Sequence, residues 1–387
     1  MSWPLAALGD IAPAKPIKLN GYTTSDRIWH VTLDQIESNT GLLLEKTIKP
    51  LSEAGSSTHA FDDRHVLYSK LRPYLNKVLL PDETGLGTTE LVPMLPASGR
   101  LDRVYLAHYL KSKTFVNWIS SQTAGAKMPR VSMNTFWEHQ IPLPPLPEQK
   151  RIAAILDKAD SLRRKNQQAI QLADQFLRAV FLDMFGDPVT NPKGWDIKSV
   201  VEISTRVTKG ESPKWQGFDY VDHGVRFITS ENVLWGQLDY RYKYISEKFN
   251  EKLFRSQICE GDLLINLVGA SVGRVCLATK ESLPANINQA VSVISLNPGI
   301  LLPEIALRQI LTSTIQQKLL GNVVDAARAN ISLTNIRELE LVIPPMEKQF
   351  EFLAFIKKIN SATEKQKLAK NLPFFDTLSQ KAFAGEL

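Results

Sequence analysis

The stretch IPLPPLPEQKRI (141–152) has a second version, LVIPPMEKQFEF (341–352), later in the same 387-residue chain. Each places paired prolines (Pro144 and Pro145, Pro344 and Pro345) just ahead of a glutamine, Gln149 or Gln349. Proline fixes φ and keeps its predecessor extended, so each stretch reads as a rigid segment running into a helix. Pro147 suits a first helical position, and Glu148 complements the positive end of the helix that follows. Neither junction offers a Ser, Thr, Asp or Asn cap. Gln149 and Gln349 have two open roles, orienting a partner or capping the local turn.

From Pro147 to about Met184 there is neither Pro nor Gly, and apolar residues recur at spacings of three, four and seven. Ile152, Ile155, Leu156, Ala159, Leu162, Ala169, Ile170, Ala173, Phe176, Leu177, Val180 and Phe181 form one stripe on a long helix. Such a stripe needs a long partner, and Phe352, Phe355, Ile356, Ile359, Ala362, Leu368 and Ala369 supply one after the second junction. That second helix breaks near Leu372-Pro373 and resumes in DTLSQKAFAGEL. The two are expected to pair as an antiparallel coiled coil. Asn166 and Gln366 interrupt the two apolar series near mid-helix, where a polar core residue fixes register, unless both face solvent.

Outward from the junctions, the repeat runs nearly end to end. WPLAALGDI (3–11) matches WDIKSVVEI (195–203), and WHVTLDQI (29–36) matches RFITSENV (226–233). LYSKLRPYLNKV (67–78) falls on LINLVGASVGRV (264–275) without a gap, and VSMNTFWEHQIPLPP (131–145) on ISLTNIRELELVIPP (331–345). Ordered self-similarity of this kind marks duplicated units. Each half, roughly 1–143 and 191–343, mixes short β-branched runs and turns with one helical patch, 106–120 or 304–320. The expected fold class is therefore α+β: two tandem α+β domains separated by two long helices, with a pseudo-twofold internal repeat.

Composition agrees. The chain is 43% hydrophobic and 22% charged, as in ordinary globular proteins. Net charge is +6 with a pI near 9.1, a mild bias toward anionic partners. Residues 1–190 carry 22 basic and 19 acidic groups, and 191–387 carry 24 and 21, so the bias is shared between two equivalent units. No apolar run is long enough to span a membrane, the N-terminus lacks a signal-peptide pattern, and Cys259 and Cys276 build no disulfide framework. A cytoplasmic protein is expected.

Catalytic constellations are missing from the sequence. His30, His59, His65, His108, His139 and His223 are scattered, without HExxH or metal spacing. GLGTTE (85–90) has Glu90 where a dinucleotide fingerprint needs Gly, and VGASVGRV (268–275) lacks the Gly-Lys-Ser/Thr of a phosphate loop. PDET (81–84) opens like a nuclease motif without its E-x-K, and no Asn/Asp-Pro-Pro-aromatic tetrapeptide of an amino-methyltransferase exists. No enzyme activity, cofactor or metal is expected of this chain, so function must come from binding.

The paired junctions resemble the specificity subunits of type I restriction–modification systems, whose domains end in I-P-x-P-P-x-x-E-Q before a long helix. IPLPPLPEQKRIAAILDKAD (141–160) is similar to that pattern, and VIPPMEKQFEFLAFIKKIN (342–360) is a degenerate copy with Met346-Glu347-Lys348 in place of Leu-Pro-Glu. LSQKAFAGEL (378–387) and TKGESPKWQGFDYVDHGVRFITSENV (208–233) also resemble family segments, whereas the first domain lacks the Gly-x-x-Pro opening. The resemblance implies target recognition domains at 1–143 and 189–343, with spacer helices at 144–188 and 344–387. It further implies binding of double-stranded DNA with a bipartite site, one half read by each domain. The helices would set the gap and dock two methyltransferase subunits, and restriction/translocase subunits would join.

Phosphate contact needs Lys or Arg, and base reading needs Arg, Lys, Asn or Gln. Basic residues on loops that match between halves are the candidates: Lys70, Arg72 and Lys77 with Arg274, and Lys127 and Arg130 with Arg328. Lys209, Lys214 and Trp215 join them from the Gly-Pro loop. Pro144, Pro145, Glu148, Gln149, Pro344, Pro345 and Gln349 are expected at the hinge or a partner contact. Rival readings are a coiled-coil scaffold with two protein-binding modules and a stand-alone DNA-modifying enzyme.

Overall fold

The computed structural model of the chain describes residues 3–55, 57–124, 129–321, 330–371 and 374–387. It divides into two units, 1–168 with 365–387, and 169–364.

In the first unit, Val66–Ser69 lies between Val78–Leu79 and Leu91–Met94 in one sheet. A second sheet orders Thr47–Pro50, Arg27–Val31, Gly85–Thr88 and Thr58–Phe61. Its central pair is parallel, with Trp29 opposite Gly85. The approach is close: a Cβ at Gly85 would come within 2.6 Å of the Phe61 ring. The expected helical patch is two helices, Arg103–Lys111 and Lys113–Ser121, because Ser112 turns extended and caps the second through Phe115 N–H. Leu5–Ala7 pairs with Gln140–Pro142, which closes the unit at the proline junction.

The second unit repeats this plan. Leu263–Asn266 lies between Val275–Leu277 and Val291–Leu296, with Ser204–Lys209 added outside the latter. Val225–Ile228 runs parallel to Ala285–Ile287, with Arg226 opposite Ala285. Pro303–Ile310 and Ser313–Leu320 break at the capping residue Thr312. Asp196–Ser199 pairs with Glu340–Ile343 at the second junction. Strand registers therefore reproduce the sequence repeat pair by pair: Leu67 faces Leu79 in one unit and Leu264 faces Cys276 in the other.

The first long helix runs Leu146–Phe185, 40 residues or about 60 Å at 1.5 Å per residue. The second comprises Met346–Asn371 and Phe374–Ala384, and the expected break at Leu372-Pro373 lies outside the described residues. Within the first unit the helices run antiparallel. Arg163 stacks on the Phe375 ring at 4.8 Å, while Arg151, earlier in its helix, donates to the carbonyl of Leu387. Ile152, Leu156 and Ala382 are buried there in one apolar cluster. Within the second unit Phe181 and Phe185 pack on Phe352, each with ring centroids 5.6 Å apart.

The apolar stripe is not buried throughout. Leu162, Phe176, Phe355 and Ala362 are exposed. Two paired helices enclose a narrow seam, so the flanks of a stripe wider than that seam stay in water. Asn166 and Gln366 are both half-buried in the first unit; no hydrogen bond joins them, and Gln366 Oε1 is buried without a partner. No helix among the described residues is long and apolar enough to cross a membrane.

Candidate nucleic-acid interface

Each unit is tied to its long helix by one buried glutamine. Gln149 is fully buried; its Nε2 donates to the carbonyls of Arg100 and Pro144, both at 2.8 Å. Its Oε1 accepts the backbone N–H of Asp102, the residue that caps the helix Arg103–Lys111, also at 2.8 Å. Gln349 repeats the arrangement, donating to Ile300 and Pro344 and accepting from Leu302 N–H. One carboxamide therefore satisfies a helix-start N–H, a loop carbonyl and a proline carbonyl, none of which has a regular partner of its own. Burial leaves neither glutamine any surface for a partner subunit, so of their two open roles the internal one carries the geometry. Pro144 and Pro344 are buried beside them, whereas Pro145 and Pro345 are exposed. Glu148 sits in the first helical turn, ion-paired with Arg151 at 2.7 Å.

A second layer of contacts anchors the domain helices. Tyr105 Oη donates to the carbonyl of Pro142, and at the equivalent place Gln309 exchanges two hydrogen bonds with Val342. His108 bonds the Asp157 carboxylate at 2.7 Å and holds its pKa down. In the second unit Arg308 meets Asp174 at 2.8 Å.

The expected DNA-contacting residues fall into three groups. Lys70, Arg72 and Lys77 lie on the loop after Val66–Ser69, with Arg72 exposed in a left-handed conformation and Lys70 half-buried. Lys77 is half-buried, and its ammonium donates to the carbonyl of Leu33 at 2.5 Å. Its counterpart Arg274 is half-buried. Arg130 is exposed but held by Glu90 at 2.9 Å. Lys127 and Arg328 lie outside the described residues. Lys209, Lys214 and Trp215 are exposed, Trp215 at 76%.

Strand bridges fix which residues correspond within the matched loops. Leu71 bridges Arg130 in the first unit and Val268 bridges Asn330 in the second, so Asn330, not Arg328, occupies the place of Arg130. Ala290 takes the place of Glu90, since the Lys70 N–H donates to the carbonyl of Glu90 and the Leu267 N–H to that of Ala290. Where the first unit has a Glu90–Arg130 ion pair, the second has a cavity of about 290 Å³ lined by Lys209, Gln289 and Asn330. Next to Lys209, a Cβ at Gly210 would lie 1.8 Å from the carbonyl oxygen of Ile287, so only glycine lets the end of the Lys209 strand approach so near. Sequence reasoning missed Glu90, Gln289 and Asn330. The 200-residue offset of the last repeat block carries Arg130 onto Asn330, and that signal was available.

The family profile described as "Type I restriction modification DNA specificity domain" matches residues 94–172 and 192–371. The chain is 24% identical over 303 residues to the type I restriction enzyme EcoBI specificity subunit of Escherichia coli, covering 70% of this chain and 64% of that one. It is 28% identical over 307 residues to the EcoKI specificity subunit of Escherichia coli strain K12, covering 73% and 65%. The chain thus spans less than two thirds of the length of these curated relatives. Its fold is similar to that of a type I restriction–modification S subunit from M. genitalium, with a TM-score of 0.58 and 14% identity over 99% of this chain and 96% of the other.

Proposed function

Since this chain belongs to the type I restriction modification DNA specificity family, we propose that it is the sequence-reading subunit of such a system, with the catalytic work done by other subunits. In this reading residues 1–143 and 189–343 are target recognition domains, and 144–188 and 344–387 are spacer helices that dock two methyltransferase subunits; restriction/translocase subunits complete the assembly. Double-stranded DNA is the ligand, and the site is bipartite.

One observation carries the proposal: the same unit occurs twice, anchored each time by the same buried glutamine, yet with different side chains at the same surface position. Conserving the mount while changing the reader is what two unlike half-sites require, because base edges are told apart by the chemistry presented to them. A scaffold of two protein-binding modules has no need for a rigid mount of fixed length. The test is binding of the full-length chain to duplex DNA. The proposal expects sequence-selective affinity that falls steeply with salt, through counterion release from neutralised phosphates. Affinity indifferent to sequence and salt would contradict it.

A further inference from the structure

We infer that Lys209, Gln289 and Asn330 determine the specificity of the second unit, each carboxamide reading the adenine of an A·T pair and Lys209 holding a neighbouring phosphate. The inference rests on the DNA-reading function proposed above and names the residues and the base.

Three observations converge on it. Gln289 lines the cavity with its Oε1 shielded from water and without a donor. Shielded and unpaired, the acceptor is costly where it stands, and turning the terminal amide about its last side-chain torsion to meet a base N–H relieves that cost. Asn330, the exposed bridge partner of Val268, brings a second carboxamide to the same cavity. Lys209 is exposed beside them, at the end of a strand clamped by Gly210 against Ile287, so a cation stands at a fixed place next to two amides.

The chemistry selects adenine. A carboxamide accepts from the exocyclic N6 amine and donates to N7, a bidentate match no other base offers in the major groove. The comparison with the first unit excludes a merely structural hollow. There Glu90 and Arg130 occupy the equivalent positions and satisfy each other, so the same frame is filled by charge. In the second unit the replacements, Ala290 and Asn330, open the space and leave polar groups facing it.

The test is selection from a pool of randomised duplexes, using the full-length chain alone and with coexpressed methyltransferase subunits. Wild type, Gln289→Ala, Asn330→Ala and Gln289→Glu are compared. Each alanine variant is expected to lose discrimination at one A·T position in one arm of the selected site, with the other arm unchanged. Gln289→Glu is expected to shift that position toward C·G, since a carboxylate accepts from cytosine N4 and cannot donate to adenine N7. A misfolded variant cannot produce that exchange. Wild-type selection of a split site that all three variants retain would overturn the assignment of these residues and leave the DNA-reading function standing. Wild type that selects no sequence would overturn both.

Discussion

The backbone N–H of Asp102 donates to the buried Oε1 of Gln149 at 2.8 Å, joining the start of the helix Arg103–Lys111 to the root of the long helix. Because Nε2 of the same side chain holds the carbonyls of Arg100 and Pro144, its loss strands three backbone groups in the interior. Gln149→Leu should lower unfolding free energy by about 3 kcal/mol or more, since each buried group left unpaired costs roughly 1–3 kcal/mol. Gln349→Leu should do the same through Leu302, Ile300 and Pro344. Lys150→Ala, exposed next to Gln149, should change stability by less than about 0.5 kcal/mol. Urea titrations of the three variants check the contrast.

The Arg130 side chain is exposed and ion-paired with Glu90, so it can be truncated without disturbing the core. An arginine in a groove pairs most readily with guanine. Arg130→Ala should weaken specific binding roughly 5- to 150-fold and relax one G·C position in the arm read by the first unit. Lys214→Ala should instead weaken binding evenly across sequences and reduce the salt slope by about one. Titrations of matched and single-mismatch duplexes at several salt concentrations separate the two behaviours.

His139 gives stability an acid limb. Burial lowers its pKa from 6.5 to about 4, and the ring packs at a tilt against Trp118, centroids 3.8 Å apart, while the Tyr109 hydroxyl bonds Nε2 at 2.9 Å. The folded imidazole stays neutral in a range where the unfolded one takes up a proton. Its contribution is therefore complete above about pH 6.5 and is lost as pH falls toward 4. Allowing for partial solvent exposure, the loss is roughly 1–2 kcal/mol. His139→Phe should flatten that part of the stability profile, read by thermal melting between pH 7 and pH 4.

Gln366 tests the helix pair. Its Oε1 is buried without a partner, and Asn166, half-buried in the same unit, does not reach it. Gln366→Leu should raise stability by about 1 kcal/mol, because an unsatisfied acceptor is replaced by apolar area. Asn166→Leu should also raise the melting temperature if Asn166 faces the seam. A fall on substitution of Gln366 would mean that its carboxamide has a partner in solution.

Much of the frame was legible in the residues. The proline junctions, the repeat and the first long helix follow from φ restriction and apolar periodicity, which are local properties; the helix expected from Pro147 to about Met184 runs Leu146–Phe185. What local reasoning does not reach is where a side chain spends its hydrogen bonds. Gln149 and Lys77 both look like surface polar residues in sequence. One is buried on Asp102 and Pro144 and the other bonded to Leu33, partners between 5 and 47 residues away in sequence. The exposure of Leu162 and Phe176 has the same origin, since periodicity marks a face without saying how wide a partner covers it. In sequence Glu90 reads only as a flaw in a glycine fingerprint, because its partner Arg130 lies 40 residues further on.

The central claim is that two unlike units on one chain read two halves of one DNA site. Its most direct test is to coexpress the full-length chain with the methyltransferase subunits proposed as its partners and map methylated adenines across the host genome. The account predicts a split motif, two short defined blocks separated by a gap of constant length. A continuous motif, a variable gap or no motif at all would contradict it.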